Sequence, residues 1–78
     1  RKKGKRISVD RAKKGDIIFF RKSKKRKLTH AGIVVENKNG IPEFIHASTS
    51  KGVIISSIGN SYWERTYAQS RRFIKKNK

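Results

Sequence analysis

Residues 28–48 read LTHAGIVVENKNGIPEFIHAS, and this stretch decides the fold. Leu28 to Val35 is rich in apolar and β-branched residues and predicts a strand. Asn37-Lys38-Asn39-Gly40 carries a hairpin signal. Pro42 permits only a strand start or edge, and Phe44 to Ser48 predicts the returning strand. Side chains alternate between faces along a strand. Leu28, His30, Gly32 and Val34 therefore share one face, as do Phe44, His46 and Ser48. If the loop spans Glu36 to Gly40, His30 stands directly opposite His46, with Cβ atoms about 4.5–5.5 Å apart. If Asn39-Gly40 alone makes the turn, residue 30 pairs with residue 49 and the histidines fall on opposite faces. A site that uses both histidines predicts the longer loop, or a bulge with the same effect on register.

Outward from this hairpin the pattern stays β. Gly15-Asp16 is turn chemistry and opens Ile17-Ile18-Phe19-Phe20, a short apolar run that suits a buried strand. Asp16 is expected to contact the following backbone as a turn residue, with no catalytic role. Ser50-Lys51-Gly52 turns the chain into a strand at Val53 to Ser56. Ser61 is placed to cap one helical turn through Tyr62, Trp63 and Glu64, with Glu64 in the capping-box position. Ala68 to Ile74 predicts a last strand, and Val9 to Lys14 a turn or short helical piece. The fold class is α+β, mainly an antiparallel β-sheet with little helix.

The chain has 78 residues, of which 33% are apolar, so one small domain is the upper bound. No cysteine is present, which removes disulfides and cysteine-rich zinc sites as staples and leaves the redox compartment unspecified. The first residue is Arg1 and no methionine occurs, so a piece of a longer chain, or a mature product, is expected. No apolar run approaches the roughly 18 residues of a membrane span, and no signal-peptide core is present. The formal net charge is +17, which attracts polyanions such as nucleic acid, anionic lipid or acidic wall polymers. Most of it sits in residues 1–6, 21–27 and 71–78; the first and last read as solvated ends and the middle one as a loop.

The chemistry rests on His30 and His46, the only two histidines. A histidine acting as base needs a polar neighbour to hold its tautomer, and His46 can do this for His30. Ala31 and Gly32 are small enough to let a substrate or a nucleophile-bearing helix approach, and Ser48 shares the His46 face. These three are the expected substrate-binding residues. Two histidines fall short of the three protein ligands of a catalytic zinc site, and Glu43 points to the other face, so neither metal nor cofactor is expected. Ser48, Ser50, Ser56 and Ser57 are possible nucleophiles in principle, but none sits in a Gly-x-Ser-x-Gly elbow. Tyr62 and Trp63 serve either as a substrate wall or as pins that hold a loop on the core.

Taken in order, Gly15-Asp16-Ile17-Ile18-Phe19-Phe20, Thr29-His30-Ala31-Gly32-Ile33-Val34-Val35, residues 44–53, Ile55-Ser56-Ser57-Ile58, Tyr62-Trp63 and Arg71-Arg72 closely resemble the C-terminal half of NlpC-type cell-wall peptidase domains. The resemblance covers residues 7–74, leaving 1–6 as a basic extension and 75–78 as a basic tail. It implies a papain-like fold whose cysteine-bearing helical half is missing. In that family a cysteine at a helix N-terminus, in an Asp-Cys-Ser-Gly type motif, attacks an amide of the peptidoglycan stem peptide. Carried over, His30 is the general base and His46 the orienting residue. The resemblance also implies a bacterial envelope or secreted location. The missing half would leave one sheet face apolar and open, inviting a partner or self-association.

Three functions remain in view. One is part of a peptidoglycan stem-peptide hydrolase, inactive as this chain alone, whose cysteine comes from upstream or from a separate chain. Another is an inactive or split module that binds wall polyanions or a partner chain. The third is a small basic RNA-binding β-barrel, which leaves the two histidines without a shared role; nucleic acid is therefore not the expected partner.

Overall fold

The computed structural model describes residues 4–21, 30–48 and 50–73. Strands β1 (Lys5–Ile7), β2 (Ile17–Phe20), β3 (His30–Lys38), β4 (Ile41–Ser48), β5 (Gly52–Ser57) and β6 (Tyr67–Arg72) form one sheet in the order β1-β6-β2-β3-β4-β5. Every neighbouring pair is antiparallel. A 3-10 turn at Val9–Arg11 and one helix, α1 (Ser61–Thr66), complete the described fold. Leu28, Thr29, the 22–27 part of the expected basic loop, Ile74 and the 75–78 tail lie outside the described residues. Part of the expected solvated end is a strand: Lys5, Arg6 and Ile7 pair with Arg72, Arg71 and Ser70. Pairing with β6 satisfies backbone groups there, which the charge of the segment does not reveal.

The β3–β4 hairpin turns tightly on Asn39 and Gly40, at φ 55° and 89°. Two consecutive positive φ values match a two-residue primed turn. The longer loop is therefore not formed. Asn37 fastens the turn: its Oδ1 accepts from the Gly40 N–H at 2.8 Å, and its Nδ2 donates to the carbonyls of Ala12 at 2.7 Å and Asp10 at 3.1 Å. Below the turn Lys38 pairs with Ile41 and Glu36 with Glu43, but Val34 pairs with Phe44 and Ile33 with Ile45. Val35 is the extra residue of a β-bulge. The bulge restores even parity between the strands. His30 and His46 thus lie on one face, offset diagonally by one step and not directly opposite.

That face is the core face. Ile18, Phe20, Val34 and Phe44 are fully buried together with Ala12, and Ile7, Val9, Ile58, Trp63 and Tyr67 pack against them. Gly32 belongs to this layer. A Cβ at Gly32 would run into Phe44 Cδ2 and lie 3.2 Å from the Ile45 carbonyl oxygen. The Phe44 ring thus fills the space expected to admit a substrate. On the other face Ile17, Ile33, Ile45 and Ile55 stand in cross-strand register. There Ile33 is 49% exposed, Ile55 59% and Val53 69%, so this face is apolar and open.

Helix α1 is capped one residue earlier than expected. Asn60 Oδ1 accepts from the Tyr62 N–H at 2.9 Å, so Asn60, and not Ser61, is the N-cap. The Thr66 carbonyl accepts from the Arg21 N–H at 2.9 Å, which seats the helix end against β2. Asp16 makes a contact that the sequence does not announce. Its carboxylate accepts from Arg72 Nε at 3.0 Å and Nη2 at 2.9 Å, and from the Lys13 N–H at 2.7 Å. The contact is with the preceding backbone and with β6, not with the backbone that follows. Burial pushes this carboxyl up, but the Arg72 hydrogen bonds, the Lys13 backbone bond and both positive charges outweigh it and hold Asp16 below the ordinary aspartate range.

This packing can be tested at two positions. Gly32→Ala overpacks the Phe44 contact and lowers stability by about 1–3 kcal/mol, read from a lowered thermal midpoint; an unchanged midpoint would show that Phe44 moves freely. Asp16→Asn removes the charge from a charge-assisted network and also lowers the midpoint at neutral pH. Because the folded carboxyl titrates lower than the unfolded one, its contribution is complete above about pH 4 and disappears as pH falls through the folded value. The curves of stability against pH for the wild type and the Asp16→Asn variant should therefore converge in acid.

Candidate active site

The bulge at Val35 and the diagonal offset bring two imidazoles into contact. His30 opens β3, and His46 lies on β4 beneath it. His30 Nε2 is 3.0 Å from His46 Nδ1, with the rings edge to face at an 83° interplanar angle. The other nitrogen of His46, Nε2, is 2.8 Å from Ser56 Oγ. Ser56 reaches it because Phe44 pairs with Ser56 and His46 with Ile54, which puts residue 56 diagonally across from residue 46 on the same face. The result is a continuous polar line, His30–His46–Ser56.

An aromatic shell fixes this line in place. The Trp63 indole stacks on His30, with centroids 5.4 Å apart and planes 23° apart, and meets His46 edge-on at 4.7 Å. Phe44 lies 5.0 Å from the His46 ring, and Phe20 6.2 Å from the His30 ring. Trp63 therefore pins the loop onto the core and also lines the cavity beside the histidines. His46 is buried and His30 half-buried. Burial pushes the His46 imidazole below its ordinary value; a charge on His30 would push it further, and the Ala47 backbone works the other way. His46 is thus kept neutral near pH 7.

A neutral imidazole offers one donor and one acceptor. If His30 Nε2–H donates to His46 Nδ1, then His46 must carry its proton on Nε2 and donate to Ser56. In that arrangement His30 Nδ1 keeps its lone pair. Among the described residues, no hydrogen-bond partner occupies that nitrogen. The pair opens on a cavity of about 580 Å³ lined by His30, His46, Ser48, Ser56, Tyr62 and Trp63, among others. A proton acceptor at its rim and a neutral orienting ring behind it are what a nucleophilic hydrolase needs from its base.

The other expected site residues divide. Ser48 lines the cavity, but its hydroxyl accepts from the Ser50 and Lys51 N–H groups at 3.3 and 3.1 Å and closes the β4–β5 turn. Ala31 is exposed on the opposite face, because it pairs with Phe19 while His30 pairs with Phe20. Gly32 is buried under Phe44. Neither lines the cavity. No three metal-ligating side chains gather among the described residues, and Glu43 engages Lys38 at 3.5 Å. Ser56 is visible in the sequence only as one serine among several; the parity of the β4–β5 turn is the signal that selects it.

The sequence profile of the NlpC/P60 family matches residues 1–72. The chain belongs to the NlpC/P60 family. It is 45% identical over 71 residues to the probable endopeptidase NlpC homolog of Haemophilus influenzae, covering 91% of this chain and 34% of that protein. It is 42% identical over 69 residues to the probable endopeptidase NlpC of Escherichia coli, covering 88% and 42%. The murein DD-endopeptidase MepS/murein LD-carboxypeptidase of Escherichia coli is 38% identical over 74 residues, covering 95% and 36%. This NlpC/P60 chain thus spans about a third to two fifths of the relatives it matches. Its six-stranded antiparallel sheet with one short helix carries both histidines and no cysteine.

The burial of His46 predicts a pH signature. Its folded value lies below its unfolded one, so the stability it supports is complete above about pH 6.5 and is lost as pH falls through the folded value. Histidine ring NMR should place the His46 midpoint below about 6.5. A midpoint above that would mean that the ring is solvated and the cavity looser than described.

Proposed function

We propose that this chain supplies the general base, His30, and its orienting residue, His46, to a cysteine nucleophile located outside the chain. The reaction is hydrolysis of an amide in a peptidoglycan stem peptide, in the bacterial envelope or outside the cell. The observation that carries this reading is the 3.0 Å contact between His30 Nε2 and His46 Nδ1 beside the cavity, which leaves Nδ1 as the His30 nitrogen outside the pair. Membership of the NlpC/P60 family and the endopeptidase names of its relatives support it. His30 Nδ1 takes the thiol proton, and the thiolate attacks the carbonyl carbon. His30 then returns that proton to the leaving amine, and water hydrolyses the thioester. Of Ala31, Gly32 and Ser48, only Ser48, on the cavity wall, is kept for substrate contact.

The thiol arrives on a cysteine-bearing half, from the same parent chain or from a separate one. His30 is the first residue of β3, so it stands at the end of the strand where a neighbouring element can reach it. That half has to approach from the face that carries His30 and the cavity; the opposite face, with Ile33, Val53 and Ile55 exposed, is where self-association or a further partner is expected. Residues 75–78 are our proposed basic tail of a partial domain that already includes β1.

A second reading, an inactive or split module binding wall polyanions, is favoured by the +17 charge together with the absence of cysteine. The RNA-binding alternative gives the paired histidines nothing to do. The test is His30→Ala in the active protein that carries this chain. Hydrolysis of stem peptides should fall by about 10³-fold or more, as for loss of a base in comparable sites. The chain by itself should not hydrolyse them. Full activity of the His30→Ala protein would sink the catalytic reading; salt-sensitive polyanion binding without turnover by any assembly would favour the second.

A further inference from the structure

The polar line does not end at His46. Its Nε2 sits 2.8 Å from Ser56 Oγ, and Ser56 lines the same cavity. His46 is buried and pushed toward its neutral form, so it has one ring proton to place. Two chains of hydrogen bonds are self-consistent. In one, His30 donates to His46 and His46 donates to Ser56, and His30 Nδ1 is bare. In the other, Ser56 donates to His46 Nε2, His46 Nδ1–H donates to His30 Nε2, and His30 must then carry its proton on Nδ1. The first chain gives a base at the cavity rim and the second gives none. What Ser56 does with its hydroxyl therefore selects whether His30 is competent.

We infer that Ser56 is a positioning residue that accepts the His46 Nε2 proton and so holds the base-competent tautomer of the histidine pair. This deepens the catalytic reading above and rests on it. The contact is built into the sheet: Ser56 is held by its backbone pairing with Phe44, and the Phe44 and Trp63 rings confine the His46 ring at 5.0 and 4.7 Å. The imidazole cannot turn away without displacing them, so an acceptor at Ser56 Oγ meets Nε2 at a fixed place. When His30 takes a proton, the same line spreads the new charge: His30 Nε2–H points at His46 Nδ1, and His46 Nε2–H at Ser56. No atom of Ser56 touches substrate in this role.

The 2.8 Å distance is also what a serine nucleophile beside its base would show, and the test separates the two. Ser56→Thr and Ser56→Val have one shape and differ only in a hydroxyl against a methyl. Each is made in the active protein that carries this chain, and kcat and KM are measured beside histidine 15N spectra. In the Ser56→Thr protein the His46 Nε2–H tautomer and the activity should persist. In the Ser56→Val protein kcat should fall about tenfold, the cost of one well-placed hydrogen bond. KM should change little, and the His46 nitrogen shifts should report mixed tautomers. Equal kcat and equal spectra for the two variants overturn the inference, whatever His30→Ala does. Stem-peptide hydrolysis by the chain alone that Ser56→Ala abolishes would also overturn it, by making Ser56 the nucleophile. If His30→Ala leaves hydrolysis intact, the catalytic reading fails, while the tautomer comparison still decides what Ser56 does to His46.

Discussion

Side chains alternate between faces along a strand, so the parity of the β3–β4 pairing decides whether His30 and His46 can meet at all. The Asn39-Gly40 turn by itself sets the wrong parity. Val35, inserted without a partner on β4, corrects it. The turn and the bulge have separate supports. Asn37 ties the turn to the Val9–Arg11 region, and the backbone groups of Val34 bond with Gly15 and Asp16 beside the bulge. The bulge is thus held from the β2 side of the sheet, and the register cannot slip without breaking both sets of bonds. The imidazole contact is downstream of that one extra residue, while the reach of Ser56 is set separately by the β4–β5 pairing.

Packing then converts a shared face into a fixed geometry. Gly32 lies between His30 and Val34 on the core face, and the Phe44 ring occupies the volume a side chain there would need. This draws Phe44 close to β3 and lets it flank His46, while Trp63 from α1 covers both imidazoles. Phe20, Phe44 and Trp63 meet one another at centroid distances of 4.9–5.4 Å. The rings that form the core are therefore the rings that orient the histidines, so a disturbance of the core face is also a disturbance of the site. A 78-residue chain with few apolar side chains has little room to keep these functions apart.

Much of this was legible in the sequence, and the exceptions have physical causes. Strands β2 to β5 announce themselves because Gly15-Asp16, Asn39-Gly40 and Ser50-Lys51-Gly52 punctuate apolar runs. The bulge carries no compositional mark: Val35 looks like any strand valine, and only the demand that both histidines share a face pointed to it. Strand β1 is hidden because Lys5 and Arg6 read as solvated charge, while its pairing comes from residues 70–72 at the far end of the chain. The Asp16–Arg72 pair is hidden for a similar reason, since its partners meet only when β6 folds back beside β2. The cap slips by one because Asn60 and Ser61 are both good cappers, and only backbone geometry separates them. Ala31 and Gly32 stand out for smallness beside His30. Smallness in a strand serves close packing as readily as it serves access, and here Gly32 serves Phe44.

The division of labour between the histidines follows from their surroundings and not from their order in the sequence. His46 is buried under aromatic rings, bonded at both nitrogens and biased toward the neutral form. Such a ring is poorly placed to accept a proton from a substrate or nucleophile, and well placed to hold a neighbour. His30 is half-buried at the start of its strand, stacked on one face and bonded through one nitrogen, so its second nitrogen can act at the cavity. Exchanging the two roles would require a charge to develop inside the aromatic shell, where desolvation opposes it most. On the proposed reading, the sheet places the charge-bearing step at the rim and the neutral, proton-directing step inside.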